Sequence, residues 1–359
     1  MLTIVLTYRN RDLYIVKRCL DSLYQQSDED FKLFLVDYGS DNSFVEQLEK
    51  LLEDYTFVTS IYVSTQGQLW NKSRAINIAF KKCKTPYFLM GDIDLVYHKD
   101  MVKYCKEMMK QYDCVYFKYG FLSEEETKKD LGFNEYETEF YGNQDVTGTT
   151  LYRTDVLKSI NGYDEFYHGW GAEDTDVHLR LKNAGYDVYF YEKEILVKHQ
   201  WHPKAYRSKN STAPFHTNLE RINHDYMWQQ FHSGATVANT KFNWGELTSE
   251  SQVQKLKNID REMKITTEKR KLDALLFGVL PELSVSVELI ITYEKGAKSL
   301  KNQIKKILGR KSIHSYTIEE ANNMLLLQLI SHHRLASYNY SINWSNDEIV
   351  LTFTPYEKA

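Results

Sequence analysis

The sequence predicts an α/β protein organised on a mainly parallel sheet with helices on both faces. Three observations carry that prediction. Short apolar runs alternate with amphipathic stretches of helical period from the first residues onward. Each run ends in a polar cluster, with Arg9, Asp37 and Asp94 each following one. At 359 residues the chain is long enough for a large domain and a smaller one.

Taken in order, Leu2 to Leu6 reads as a strand, followed by Thr7-Tyr8-Arg9-Asn10-Arg11 and a helix capped near Asp12, with Leu13, Val16, Leu20 and Leu23 on one face. Lys32 to Val36 is a second strand ending in Asp37-Tyr38-Gly39-Ser40-Asp41, and the next helix carries Leu48, Leu51 and Leu52. Ser60 to Val63 gives a third strand, and Trp70 to Phe80 a helix leading through Pro86 into Tyr87 to His98. That apolar run is expected to break at Gly91 and deliver Asp92 and Asp94. Strand alternation would point both carboxylates the same way, where they can hold a divalent cation against an anionic ligand. Ligands of parallel sheets bind beyond the carboxyl ends of the strands, so Arg9, Asp37 and Asp94 should meet at one edge.

Cys114 to Phe117 is a further strand, whereas Gly120 to Asp145 loses periodicity and is expected as a long acceptor-facing loop. Gly148 to Tyr152 returns to strand-like residues. In Gly162 to Leu181, Gly169, Gly171 and Ala172 allow a close backbone approach, Trp170 offers a flat apolar face, and Glu173, Asp174 and Asp176 open a helix. An acidic first turn also complements the helix dipole without any catalytic duty. The run Val197 to Pro203 places His199 and His202 three apart, and one of them is expected on the metal. Residues 204 to 216 read as a mobile lid, and residues 218 to 280 as a helical extension in which Lys255 to Lys271 is a solvated helix face. Residues 281 to 359 form a small α+β module, with a strand over Leu283 to Tyr293, helices over Leu300 to Leu308 and Ile318 to Leu335, and a terminal hairpin. Its basic patch, Lys298, Lys301, Lys305, Lys306, Arg310 and Lys311, reads as a solvated helix, with peripheral contact to anionic lipid headgroups as the alternative. The expected division is a catalytic domain over 1–217, the extension, and the module.

Composition narrows the class. A net charge of -4 with scattered Lys and Arg gives no case for a nucleic-acid partner. The 27 tyrosines suit sugar or nucleoside surfaces, although compositional bias produces the same count. Cys19, Cys83, Cys105 and Cys114 lack metal or disulfide spacing and read as reduced core residues. With neither a leader pattern nor a long apolar run, the expected location is cytoplasmic, with membrane association on the inner face as an option.

The order Thr7-Tyr8-Arg9-Asn10-Arg11, Asp37 with Gly39-Ser40, Trp70-Asn71-Lys72, Asp92-Ile93-Asp94, Gly169-Trp170-Gly171-Ala172-Glu173-Asp174 and His199 resembles inverting nucleotide-sugar glycosyltransferases of family 2. It is similar also to beta-1,4-galactosyltransferases and bacterial chondroitin-polymerase-type enzymes. The likeness covers about residues 1 to 205 and implies a glycosyltransferase-A type, Rossmann-like fold. It further implies that Asp94 coordinates the metal, that Asp92 lies against the ribose, diphosphate and metal, and that His199 completes the metal shell. Arg9 and Asp37 would hold the uridine, with Thr7 and Tyr8 in the same donor-binding segment and Arg11 and Lys72 near the diphosphate. Trp170 and Glu173 would line the sugar pocket. Asp174 would be the catalytic base, with Glu173 the second candidate. Three positions depart from the pattern: Tyr38 replaces a second Asp, Lys72 an Arg, and Leu196 a metal-binding Met.

The chemistry agrees with the resemblance. A leaving diphosphate must be neutralised, which a divalent ion held by carboxylate, imidazole and phosphate oxygens achieves; Mn2+ suits that mixed set, with Mg2+ second. A carboxylate opposite the leaving group must take the acceptor hydroxyl's proton. The expected partners are a UDP-sugar of Gal or GalNAc type and a carbohydrate or lipid-linked glycan acceptor. Two other classes stay open. A nucleotidyltransferase would be expected to carry a glycine-rich phosphate loop, which Thr7 to Arg11 lacks, and a non-catalytic sugar-binding protein would have little need of metal ligands and base together.

Overall fold

The computed structural model describes residues 1–203 and 214–356. Two compact units divide them: 1–63, 70–203 and 220–247 form the first, and 64–69, 214–219 and 248–356 the second. Most of the lid expected over residues 204–216 lies outside the described residues.

The first unit runs β1 (Leu2–Tyr8), α1 (Leu13–Tyr24), β2 (Phe31–Tyr38), α2 (Asn42–Leu52), β3 (Val58–Val63), α3 (Lys72–Phe80), β4 (Tyr87–Asp92), β5 (Leu95–Tyr97), α4 (Met101–Met108), β6 (Cys114–Phe117) and β7 (Tyr119–Phe121). It continues through α5 (Glu124–Thr127), β8 (Phe140–Tyr141), β9 (Thr150–Arg153), α6 (Thr154–Ser159), α7 (Glu173–Asn183), β10 (Val188–Tyr191), β11 (Val197–His199) and α8 (Leu219–His232). Its main sheet has the order β10-β6-β9-β4-β1-β2-β3. Only β9 runs against its neighbours, pairing antiparallel with β4 and β6. The mainly parallel α/β fold expected from the sequence is therefore present.

Period-two alternation makes the sheet two-faced. Leu2, Ile4, Leu6 and Tyr8 of β1 enter one core with Val16, Leu20 and Leu23 of α1 and Met101 and Val102 of α4. Val5 enters the other, with Ala75, Ile76 and Ala79 of α3 and Val177 and Leu181 of α7. Each such Val, Leu, Ile or Met side chain, fully removed from water, contributes about 1.5–3 kcal/mol. The strand register sets the site: Thr7 lies opposite Val36 and Asp92, and Tyr8 opposite Asp37, so three polar strand ends share one edge.

Two expectations need correction here. The apolar run does not break at Gly91, because β4 continues to Asp92; glycine is required because a Cβ would collide with the Tyr97 hydroxyl. Nor is Gly120 to Asp145 one long loop. It contains α5 and part of a second sheet, ordered β5-β11-β7-β8, in which Phe121 and Phe140 stack at 4.6 Å. Strands of two and three residues are too short to display alternation.

The second unit contains α9 (Glu250–Lys255), β12 (Arg261–Thr266), α10 (Lys269–Ala274), β13 (Val287–Thr292), α11 (Leu300–Ile307), α12 (Ile318–His332), β14 (Ser337–Asn343) and β15 (Glu348–Thr354). Its sheet, β12-β13-β15-β14, overturns the reading of Lys255 to Lys271 as one helix face, since β12 lies inside that run and pairs parallel with β13. Charged residues on this edge strand hid its β character. The stretch expected as a single helical extension is thus divided: α8 belongs largely to the first unit and β12 to the second. Residues 64–69 also join the second unit, with Leu69 N donating to the Tyr338 hydroxyl at 3.0 Å and Tyr340 N to the Gly67 carbonyl at 3.0 Å.

Candidate active site

The carboxyl ends of β1, β2 and β4 deliver Thr7, Asp37 and Asp92 to one edge. Asp37 accepts from Ser40 N at 2.9 Å, while its other oxygen is buried with no hydrogen-bond partner. Burial pushes this carboxyl up, opposed by Ser40 and the Arg9 charge. Such a group is ready to receive a ligand donor. Thr7 is buried beside it. The Tyr8 ring lies in the core and its hydroxyl donates to the Arg11 carbonyl at 3.2 Å, so Tyr8 fixes the turn that carries Arg9 and Arg11.

The two aspartates of Asp92-Ile93-Asp94 do not point the same way. β4 stops at Asp92, and Ile93 and Asp94 turn into β5, so alternation does not run through them. Asp94 meets Arg11 Nη2 at 3.2 Å, His202 Nε2 at 3.1 Å and His199 Nε2 at 3.7 Å. Burial raises its carboxyl, but His199, His202 and Arg11 outweigh that and hold it well below the usual range. Burial pushes His199 down, with Asp94 opposing, which keeps a neutral imidazole lone pair available at neutral pH. One donor atom from each of Asp94, His199 and His202 lies within 4.8 Å of the others. A carboxylate with two imidazoles fits a first-row divalent ion. Leu196 is fully buried in the core, and His202 supplies the third donor atom of the cluster.

Asp92 belongs to a second cluster, centred on Lys72 at the start of α3. Lys72 Nζ lies 3.0 Å from Asp92, 3.1 Å from Asp174 and 3.7 Å from Glu173. The Tyr119 hydroxyl donates to the other Asp92 oxygen at 3.0 Å and accepts from Thr149 N at 2.7 Å. A Cβ at Gly148 would come within 2.8 Å of that Asp92 oxygen, so glycine is needed there. Three carboxylates around one ammonium leave excess negative charge. Burial raises Asp174 well above the usual carboxylate range, Lys72 opposing, and its second oxygen is buried without a partner. A displaced carboxyl with an unpartnered oxygen in a charged cluster makes Asp174 a candidate functional group.

The acidic first turn of α7 divides by role. Asp176 pairs with Arg180 at 2.7 Å, both nearly inaccessible, and accepts from the Tyr167 hydroxyl, which is a structural arrangement. Glu173 and Asp174 face Lys72 instead. The loop before them takes left-handed backbone at Gly169, Gly171 and Ala172, with φ of 73°, 99° and 76°. At Ala172 that conformation costs on the order of 1 kcal/mol or more. Asn223 of α8 holds the loop by donating to the His168 and Trp170 carbonyls at 3.0 and 3.2 Å, and Gly169 N donates to the Trp70 carbonyl at 2.8 Å. Trp170 is left 45% exposed, which permits it to face a ligand.

Sequence reasoning missed Tyr119 and Asn223. Tyr119 lies in a three-residue strand with no periodic signal, and Asn223 in the stretch over 218–280 read only as a helical extension. Of the two imidazoles offered as alternatives, both are brought to Asp94.

Comparison with known proteins places these residues in a family context. Residues 3–160 match the family described as Glycosyl transferase family 2, and residues 128–202 match the N-terminal domain of galactosyltransferase. Mouse chondroitin sulfate synthase 3 is 24% identical over 182 residues, 48% of this chain and 20% of that protein. Pig beta-1,4-galactosyltransferase 5 is 27% identical over 149 residues, 40% of this chain and 34% of that protein. The chain therefore spans only about a third or less of the length of these curated relatives. Among solved structures, S. aureus TarS 1-349 in complex with UDP-GlcNAc is similar at a TM-score of 0.45 and 15% identity, over 67% of this chain and 68% of that one. Residues 3–160 thus match a family 2 glycosyltransferase domain, and the match is continued to residue 202 by similarity to galactosyltransferase sequence.

Proposed function

We propose that the chain is a metal-dependent, inverting glycosyltransferase that moves a sugar of Gal or GalNAc type from a UDP-sugar to a hydroxyl of a carbohydrate or lipid-linked glycan acceptor. The observation that carries this reading is the separation of the carboxylates: Asp94 lies with two imidazoles, whereas Asp174 faces a single shared ammonium with its other oxygen buried and unpartnered. Asp94, His199 and His202 would hold a divalent ion, Mn2+ by preference, and that ion supplies Lewis-acid neutralisation of the diphosphate. The names of the relatives, a chondroitin synthase and a galactosyltransferase, support the choice of sugar.

The chain's own residues would act as follows. Asp37 and Arg9 bind the uridine end, Arg11 and Asp92 orient the diphosphate and ribose, and Trp170 with Glu173 bounds the sugar. Lys72 balances the surrounding carboxylates. The Asp174 carboxylate accepts the acceptor hydroxyl's proton as that oxygen bonds the anomeric carbon. The bond from that carbon to the diphosphate oxygen breaks, and the electron pair leaves on UDP. A carboxylate made more basic by burial is suited to this task. One displacement inverts the anomeric centre.

The test is UDP release from UDP-Gal, UDP-GalNAc, UDP-Glc and UDP-GlcNAc with and without Mn2+, with the product anomer assigned by NMR. Turnover of one donor only with metal, giving a β-glycoside, is the expected result. Metal-independent turnover or a retained α-linkage would contradict the mechanism, and failure with every UDP-sugar and acceptor would contradict the function.

A further inference from the structure

In the second unit, α11 is built inside out. Helix positions advance by about 100°, so Leu300, Ile304 and Ile307 share one stripe, continued by Leu308 at the C-cap. These four are 73, 47, 84 and 59% exposed. The buried position is instead an amide. Asn302 donates to the Ala297 and Ile313 carbonyls at 3.0 and 2.9 Å and accepts from Ile313 N at 2.7 Å. A helix resting on a globular core normally has the opposite arrangement, apolar inward and polar outward.

The charge around the stripe is of one sign. Between Lys295 and Lys311 there are seven cations and no carboxylate: Lys295, Lys298, Lys301, Lys305, Lys306, Arg310 and Lys311. All except the half-buried Lys305 are exposed. No helix among the described residues is long and apolar enough to cross a membrane. A short helix with outward aliphatic side chains and flanking cations has the composition of one that lies in a bilayer interface.

We propose that α11 docks this protein onto an anionic membrane surface, with Leu300, Ile304, Ile307 and Leu308 entering the acyl boundary and the flanking lysines and arginine meeting lipid phosphates. Lysine stems reach from such a depth to the headgroups. A nucleic acid would engage the cations but leave the aliphatic stripe in water. A second copy docking through the same stripe would bring two basic borders together. The inference is independent of the catalytic reading, since vesicle binding requires no donor or metal.

The experiment is flotation of the full chain with vesicles of phosphatidylcholine alone and of phosphatidylcholine mixed with phosphatidylglycerol. Binding to the anionic vesicles, weakened by salt, is expected. Ile304→Ser with Ile307→Ser should lower partition at least about tenfold, and Lys301→Gln or Lys306→Gln about fivefold each. These positions are exposed, so circular dichroism and thermal unfolding should match wild type. Absence of binding to anionic vesicles at low salt, or equal partition of the serine variant, overturns the proposal. A wild-type dimer that Ile307→Ser dissociates without vesicles also overturns it, assigning the stripe to self-association.

Discussion

Asp94, in the turn after β4, and Asp174, in the first turn of α7, are two largely inaccessible carboxylates driven in opposite directions. Asp94 has a guanidinium and two imidazoles around it and stays ionised. Asp174 competes with Asp92 and Glu173 for one ammonium, and burial raises it. The residue type is the same, but the counter-charge differs. That difference fits the complementary roles proposed for them, Asp94 as an anion that holds a cation and Asp174 as the group that takes a proton.

The comparison can be broken most forcefully at Lys72. Lys72→Met removes the cation that, among the described residues, contacts Asp92, Glu173 and Asp174, and it should destabilise the protein by about 3–5 kcal/mol at neutral pH. Chemical denaturation measures this, and recovery of part of the loss at acid pH, where the carboxyls protonate, should accompany it. At the other cluster, His202→Ala should weaken Mn2+ binding at least about 10- to 100-fold with little effect on unfolding, as read by isothermal titration calorimetry.

A subtler contrast lies in pH. The folded-state pKa of Asp174 is raised, so its stabilising contribution is complete below the unfolded carboxyl value of about 3.9 and is lost as pH rises through the folded value. Asp174→Asn should therefore gain stability over wild type from about pH 4 upward, by up to about 1.4 kcal/mol per pH unit, and then level off. Asp94 has the opposite sign. Its contribution is present above the unfolded value and disappears as pH falls through its depressed folded value. Denaturation midpoints across pH for wild type and Asp174→Asn test this. The smallest effect belongs to Leu196→Met, which exchanges one core side chain for another of similar volume; it should cost less than about 1.5 kcal/mol and leave metal affinity unchanged.

The sequence reveals much of the fold because long apolar strands and amphipathic helices announce themselves. β1, β2 and β4 form where the apolar runs predict strands, each continuing up to two residues past the expected end, and their polar ends meet. It reveals the carboxylates and imidazoles as residue types at the right strand ends. What it conceals is direction. The D-x-D spacing suggests a shared orientation, but β4 ends between the two carboxylates, and only the turn into β5 separates Asp94 from Asp92. Tyr119 orients Asp92 from a strand too short for a pattern, and Asn223 supports the Trp170 loop from a helix remote in sequence. Charge in β12 disguised a strand as a solvated helix, and the outward aliphatic stripe of α11 emerges only when exposure is known.

The most direct test of the divided carboxylates measures Mn2+ binding by electron paramagnetic resonance in the presence of UDP, together with turnover, for wild type, Asp94→Ala and Asp174→Asn. Asp174→Asn should bind Mn2+ and UDP as wild type does while losing about 10²- to 10⁴-fold in turnover, and Asp94→Ala should lose both binding and turnover. Wild-type turnover by Asp174→Asn, or undiminished Mn2+ binding by Asp94→Ala, would contradict the assignment.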